Sequence, residues 1–138
     1  MNDIHVTVVG NVATDIAVRT TASGRMVSSF RVASNARRFD RATSLWVDAE
    51  PSFVSVSCWG ALADHVAASV AKGDPVLVTG RLRIRQWQDG EQRGTSADLD
   101  AASVGHDLTR GTTRFERARS RSAEAENTDP WAESARAA

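Results

Sequence analysis

The chain has 138 residues, enough for one small domain with an additional terminal segment. Its 17 basic and 17 acidic residues cancel, so net charge points to no partner, and the lone Cys58 excludes an internal disulfide or a cysteine-rich zinc site. No stretch approaches the ~18 apolar residues of a membrane span, and the opening MNDIHVTVVG lacks the pattern of a secretory signal; a cytoplasmic protein is expected.

Residues 4–10, IHVTVVG, alternate with Ile4, Val6 and Val8 on one face, the period of a strand. A turn is expected around Gly24 in TTASGR (20–25). Residues 26–34, MVSSFRVAS, then place Met26, Phe30 and Val32 inward and Arg31 opposite them. Residues 36–52 mix charge with Phe39 and Trp46 and show no period, which reads as a long excursion. In FVSVSCW (53–59), Val54, Val56 and Cys58 form an apolar face. The other face carries Phe53, Ser55, Ser57 and Trp59, rings held apart on small polar residues.

ALADHVAASVAK (61–72) changes to helical spacing, with Leu62, Val66 and Val70 four apart and Ala63 and Ala67 widening the stripe. Lys72-Gly73 is a plausible stop, and His65 falls at the edge of the stripe as a boundary residue. PVLVTGRLRIRQW (75–87) predicts a strand with Val76, Val78, Leu82 and Ile84 inward and Arg81, Arg83, Arg85 and Trp87 outward. Asp89-Gly90 marks a hairpin turn within 88–94. Residues 95–105 read as a weaker strand whose Leu99 and Val104 are out of phase. From 106 to 138 aliphatic residues become scarce; a flexible tail is expected, first basic (Arg110, Arg114, Arg117, Arg119, Arg121), then mildly acidic.

Five strands with one helix after the third match the OB-fold, an all-β barrel, here predicted over 1–105; other small barrels and α+β folds share the order. The outward chemistry narrows the choice. Sequence-independent binding of single-stranded nucleic acid needs cations for phosphates and rings for bases. Arg81, Arg83 and Arg85 recur about 7 Å apart along a strand, close to the phosphate repeat, and Trp87 ends the ladder. Sixteen of the 17 basic residues are arginine, which genome base composition also produces, so placement carries the argument. No GxxxxGK[ST] or HExxH occurs, the three histidines are scattered, and Cys58 reads as core, so neither catalysis nor a cofactor is expected.

VTVVGNVATDIAVR (6–19), SSFRVASNARRF (28–39) and FVSVSCWGALADHVAASVAKGDPVLVTGRLRIRQWQDG (53–90) together resemble the bacterial single-stranded DNA-binding proteins over roughly 4–105. The resemblance implies an OB-fold that assembles as a homotetramer and wraps single-stranded DNA in replication, repair, recombination or chromosome segregation, at the nucleoid. It implies base stacking on Phe53, Trp59 and Trp87, with a fourth ring near Phe39, and phosphate contacts at Arg19, Arg83 and Arg85. Trp46, in the same loop as Phe39, joins the stacking candidates, and alternation adds Arg31 and Arg81 to the cations. Family members usually end in an acidic tip closing in Pro-Phe that recruits replication and repair enzymes. This chain ends TDPWAESARAA, so that recruitment is not implied, and it resembles the short-tailed second proteins of actinobacteria. An assembly adaptor on the same barrel and an RNA-binding OB-fold remain alternatives.

Overall fold

The computed structural model describes residues 3–34, 37–48 and 50–118; for Arg37, Arg38 and Asp48 only the backbone is described. Residues 119–138, most of the expected tail, lie outside the described residues. Among the described residues, eight strands and one helix run in the order β1 (Ile4–Val12), β2 (Ala17–Thr20), β3 (Met26–Ser34), β4 (Arg37–Asp40), β5 (Leu45–Asp48), β6 (Ser52–Trp59), α1 (Ala61–Ser69), β7 (Pro75–Asp89) and β8 (Gln92–His106). The main sheet has the order β1-β7-β8-β6-β3-β2, and β1 also pairs with β3, so five strands close into a ring with the helix between the third and fourth. This is the expected OB-fold barrel.

The inward residues of those five strands make the core. Phe30, Val32, Val56, Cys58, Val76, Val78 and Leu99 are buried, and Ala63, Val66 and Val70 of α1 and its exit cover one end. Burial without a charged partner pushes the Cys58 thiol up to about 11, which leaves it protonated and inert, as expected of a core residue. Ser28, the buried polar residue on the same face, donates its hydroxyl to the carbonyl of Ala63 at 2.6 Å, tying β3 to the helix.

Four expectations need correction. β2 was not anticipated, because all four of its residues are exposed and no alternation marks it. The excursion of 36–52 is a hairpin, β4 paired antiparallel with β5; Asp40 Oδ1 accepts the Ala42 N–H in its turn. Among the described residues none of its side chains packs against the core, so a binary apolar pattern has nothing to report. The helix ends at Ser69 rather than Lys72, since Val70 turns extended (φ −114°, ψ 138°) and so stays buried. Finally, Leu99 and Val104 both face inward despite opposite phase, because the β7–β8 register steps from Gly80↔Ala101 to Thr79↔Ser103 and leaves Ala102 as a bulge.

A polar tie fixes the helix exit to the barrel. Asp74 Oδ2 accepts the Ala71 N–H at 2.9 Å and lies 3.0 Å from His106 Nε2 at the end of β8. The Ala71 bond, then His106, hold the Asp74 carboxyl below the usual carboxylate range. A carboxyl lowered in the folded state stabilises above its unfolded pKa of about 3.9 and stops doing so as pH falls through the folded value. Asp74→Ala is therefore expected to melt lower than the unsubstituted protein at pH 6, with the gap closing under acid; a gap independent of pH in thermal melts would refute the assignment.

Candidate nucleic-acid interface

Register shows which predicted residues share a face. On β3–β6, Arg31 lies opposite Ser55, Ala33 opposite Phe53 and Val27 opposite Trp59. β2 adds Arg19 beside Val27, on that same face. The parallel pairing of β6 with β8 sets Ser55 beside Asp98 and Ser57 beside Asp100. β7 continues the face, with Arg81 opposite Asp100, Arg83 opposite Asp98, Arg85 opposite Ser96 and Trp87 opposite Gly94. Arg19, Arg31, Phe53, Trp59, Arg81, Arg83, Arg85 and Trp87 thus lie on one outward surface assembled from β2, β3, β6 and β7, with β8 between.

Phe53 and Trp87 on it are accessible, at 44% and 48%, and Trp59 is half-buried. A guanidinium covers each of the two β6 rings: Arg31 Cζ lies 4.7 Å from the Phe53 centroid and Arg25 Cζ 4.7 Å from that of Trp59. Arg25 was missed, although it sits two residues before Val27 and in phase with Arg31. An exposed cation–π contact is worth about 0.5–1 kcal/mol, and a stacked base about 1–3 kcal/mol. A base stacked on either ring would therefore have to displace the guanidinium or trap it as a second layer.

Trp87 is held differently. A Cβ on Gly94, its cross-strand partner, would fall 2.1 Å from Trp87 Cζ2, so the indole lies flat against the β8 backbone. Gly94 is a positioning residue that the sequence did not disclose. Gly94→Val is expected to lift the indole and weaken stacking on it by about 1–3 kcal/mol, while melting temperature changes little because Trp87 is outside the core. Oligo-dT titration of the variant beside its thermal melt checks this; unchanged affinity would remove Gly94 from the site.

Phe39 and Trp46 pair across β4–β5 with centroids 5.6 Å apart at 62°, an edge-on contact. Their hairpin forms its own two-stranded sheet and springs from the end of β3–β6 that carries Phe53. Because β8 runs parallel to β6, the tip of β7–β8 with Trp87 extends past that same end. There the strands outrun the core, which is why Ile84, expected inward, is 55% exposed.

The arginine ladder also departs from expectation. Rather than standing free, Arg81 and Arg83 reach Asp100 Oδ2 at 3.4 and 3.1 Å, and Arg85 Nε meets Asp98 Oδ2. Asp3 lies 3.9 Å from Arg81. Asp98 and Asp100 flank inward Leu99 in mid-strand, so the carboxylates that face the ladder belong to the sheet itself. By contrast, Arg19 has no carboxylate within ion-pair distance among the described residues.

Comparison with known proteins fits this arrangement. Residues 3–107 match the profile of the single-strand binding protein family. The chain is 47% identical over 125 residues to single-stranded DNA-binding protein 2 of Streptomyces avermitilis, covering 91% of this chain and 78% of that protein. Its fold aligns with the small single-stranded DNA-binding protein from Streptomyces coelicolor at a TM-score of 0.71 and 44% identity, over 80% of this chain and 100% of that one. It aligns with the second such protein (SSBb) of Mycobacterium smegmatis at 0.63 and 34%, over 84% and 100%. A barrel of this topology, an outward face of rings and arginines and a matched span of 3–107 agree: the chain belongs to the single-strand binding protein family.

Proposed function

We propose that this protein binds single-stranded DNA without regard to sequence and without catalysis. Bases stack on Phe53, Trp59 and Trp87, and on Phe39 and Trp46 of the β4–β5 hairpin. Phosphates meet Arg19, Arg31, Arg81, Arg83 and Arg85. The observation that carries the reading is the single outward face on which strand register gathers rings and guanidinium groups. Such a face suits an unpaired strand, whose bases are free to stack, better than a duplex, whose bases are stacked on each other. Assembly as a homotetramer, location at the nucleoid and service in replication, repair, recombination or chromosome segregation belong to the same proposal, and family membership supports them.

Titration with oligo-dT tests it. Tryptophan fluorescence is expected to quench, and log affinity to fall with log salt by about 0.7 per phosphate neutralised on a single strand. Duplex DNA is expected to compete poorly. An unquenched signal at low salt, or a slope of zero, would overturn the proposal.

A further inference from the structure

The carboxylates of Asp98 and Asp100 belong to β8 and not to a turn. They lie mid-sheet, between the Ser55–Ser57 strip that separates Phe53 from Trp59 on one side and the arginine ladder on the other. They are only 21% and 23% exposed, whereas Arg81, Arg83 and Arg85 are 48%, 60% and 71% exposed. The cations are therefore outermost and the anions seated beneath them on the sheet. Each ladder arginine already holds an anionic oxygen of the kind a phosphate would offer.

We infer that Asp98 and Asp100 act as a charge filter: they occupy the ladder in the free protein, so that a polyanion must exchange with them, and only a ligand that also stacks its bases gains enough to do so. This rests on the proposed binding of single-stranded DNA and concerns the selectivity of that same surface. A bare polyphosphate trades one set of oxygens for another at the ladder and leaves the two carboxylates without their cations. A single strand makes the same exchange and gains contact with Phe53, Trp59 and Trp87. Three exposed arginines in a row without the aspartates would attract any polyanion. With them, charge alone is a poor entry ticket.

The test compares the unsubstituted protein with Asp98→Asn/Asp100→Asn, which keeps shape and removes charge. Oligo-dT is the ligand and linear inorganic polyphosphate the competitor, over a range of salt. The double variant is expected to bind oligo-dT about tenfold tighter at low salt, with a salt slope steeper by about 0.7–1.4, because in the unsubstituted complex the carboxylates beneath the ladder still offset one or two of the charges that face phosphate. Polyphosphate, a weak competitor of the unsubstituted protein, is expected to compete strongly against the variant. Asp98→Glu/Asp100→Glu, which keeps the charges, is expected to retain the original slope and selectivity. Should the double variant fail to fold by circular dichroism, Asp98→Asn alone, which frees Arg85, carries the test with about half the slope change. Unchanged or weaker binding by a folded asparagine variant, with unchanged slope, would overturn the filter and leave the aspartates as struts for the ladder. If the unsubstituted protein does not bind oligo-dT at all, the proposed function fails instead. The filter is then judged on direct polyphosphate binding, which the asparagine variant must gain.

Discussion

Gly80→Ala is expected to lower the stability of the barrel by about 3 kcal/mol or more, the upper end of what overpacking costs. A Cβ at this position would lie 2.1 Å from the carbonyl oxygen of Asp100 and 2.9 Å from Ala101 Cα, so the obstacle is backbone and cannot rotate away. The site adjoins the register step between Thr79 and Gly80, where β8 crowds β7. For a domain of this size that loss corresponds to roughly 10–20 °C in melting temperature. Gly105→Ala, in the same β7–β8 ladder but with open space around the added Cβ, is the control and should change stability little. Urea or thermal unfolding of the two variants decides it. Equal stabilities would mean that the bulge absorbs a methyl group, and the crowding would lose its structural meaning.

The largest effect on binding is expected from Phe53→Ala/Trp87→Ala. Each ring supports about 1–3 kcal/mol of stacking. The two sit on different strands and do not share a partner, so their losses should add. The sum, about 2–6 kcal/mol, weakens oligo-dT binding roughly thirty-fold to twenty-thousand-fold. Stability should hardly change, because both rings lie outside the buried core. Fluorescence then depends on the remaining tryptophans, so affinity is better read by anisotropy of a labelled oligonucleotide. Affinity within threefold of the unsubstituted protein would take both rings out of the binding surface and transfer the weight to Trp59 and the hairpin.

The barrel was legible where a strand has an inside and an outside. β1, β3, β6 and the first half of β7 each contrast apolar with polar residues at a period of two, and all four were found; in β1, however, Ile4, grouped with Val6 and Val8, is exposed at the strand's start, and buried Val12 lies beyond the expected span. β2 was not found, since all four of its residues are exposed, and the β4–β5 hairpin was not, since its sequence shows no apolar period to detect. Leu99 and Val104 appeared mismatched because a bulge cannot be seen from one strand; it exists only relative to a partner. The site follows the same division. Phe53, Trp59, Trp87 and the ladder were visible locally, and register confirms that they share a surface. What the sequence withheld was pairing: that Asp98 and Asp100 face the ladder, that Gly94 supports Trp87, and that Arg25 rests on Trp59 are facts about neighbouring strands.

The ring of strands is closed unevenly. β7 and β8 are joined along almost their whole length, whereas β1 meets β3 at only two register positions, Asn11↔Ala33 and Val12↔Val32, helped by the Ala13 N–H donating to the Arg31 carbonyl at 2.7 Å. A hoop parts at its shortest weld. Transient breathing of the barrel is therefore concentrated at this seam, and amide hydrogens there should exchange with deuterated solvent well before those of β7 and β8. Since Arg31 lies at the seam and over Phe53, this breathing also reaches the edge of the aromatic surface. The most easily opened joint of the fold is thus next to a ring proposed to stack on DNA, and a strand bound across both would act as a clasp.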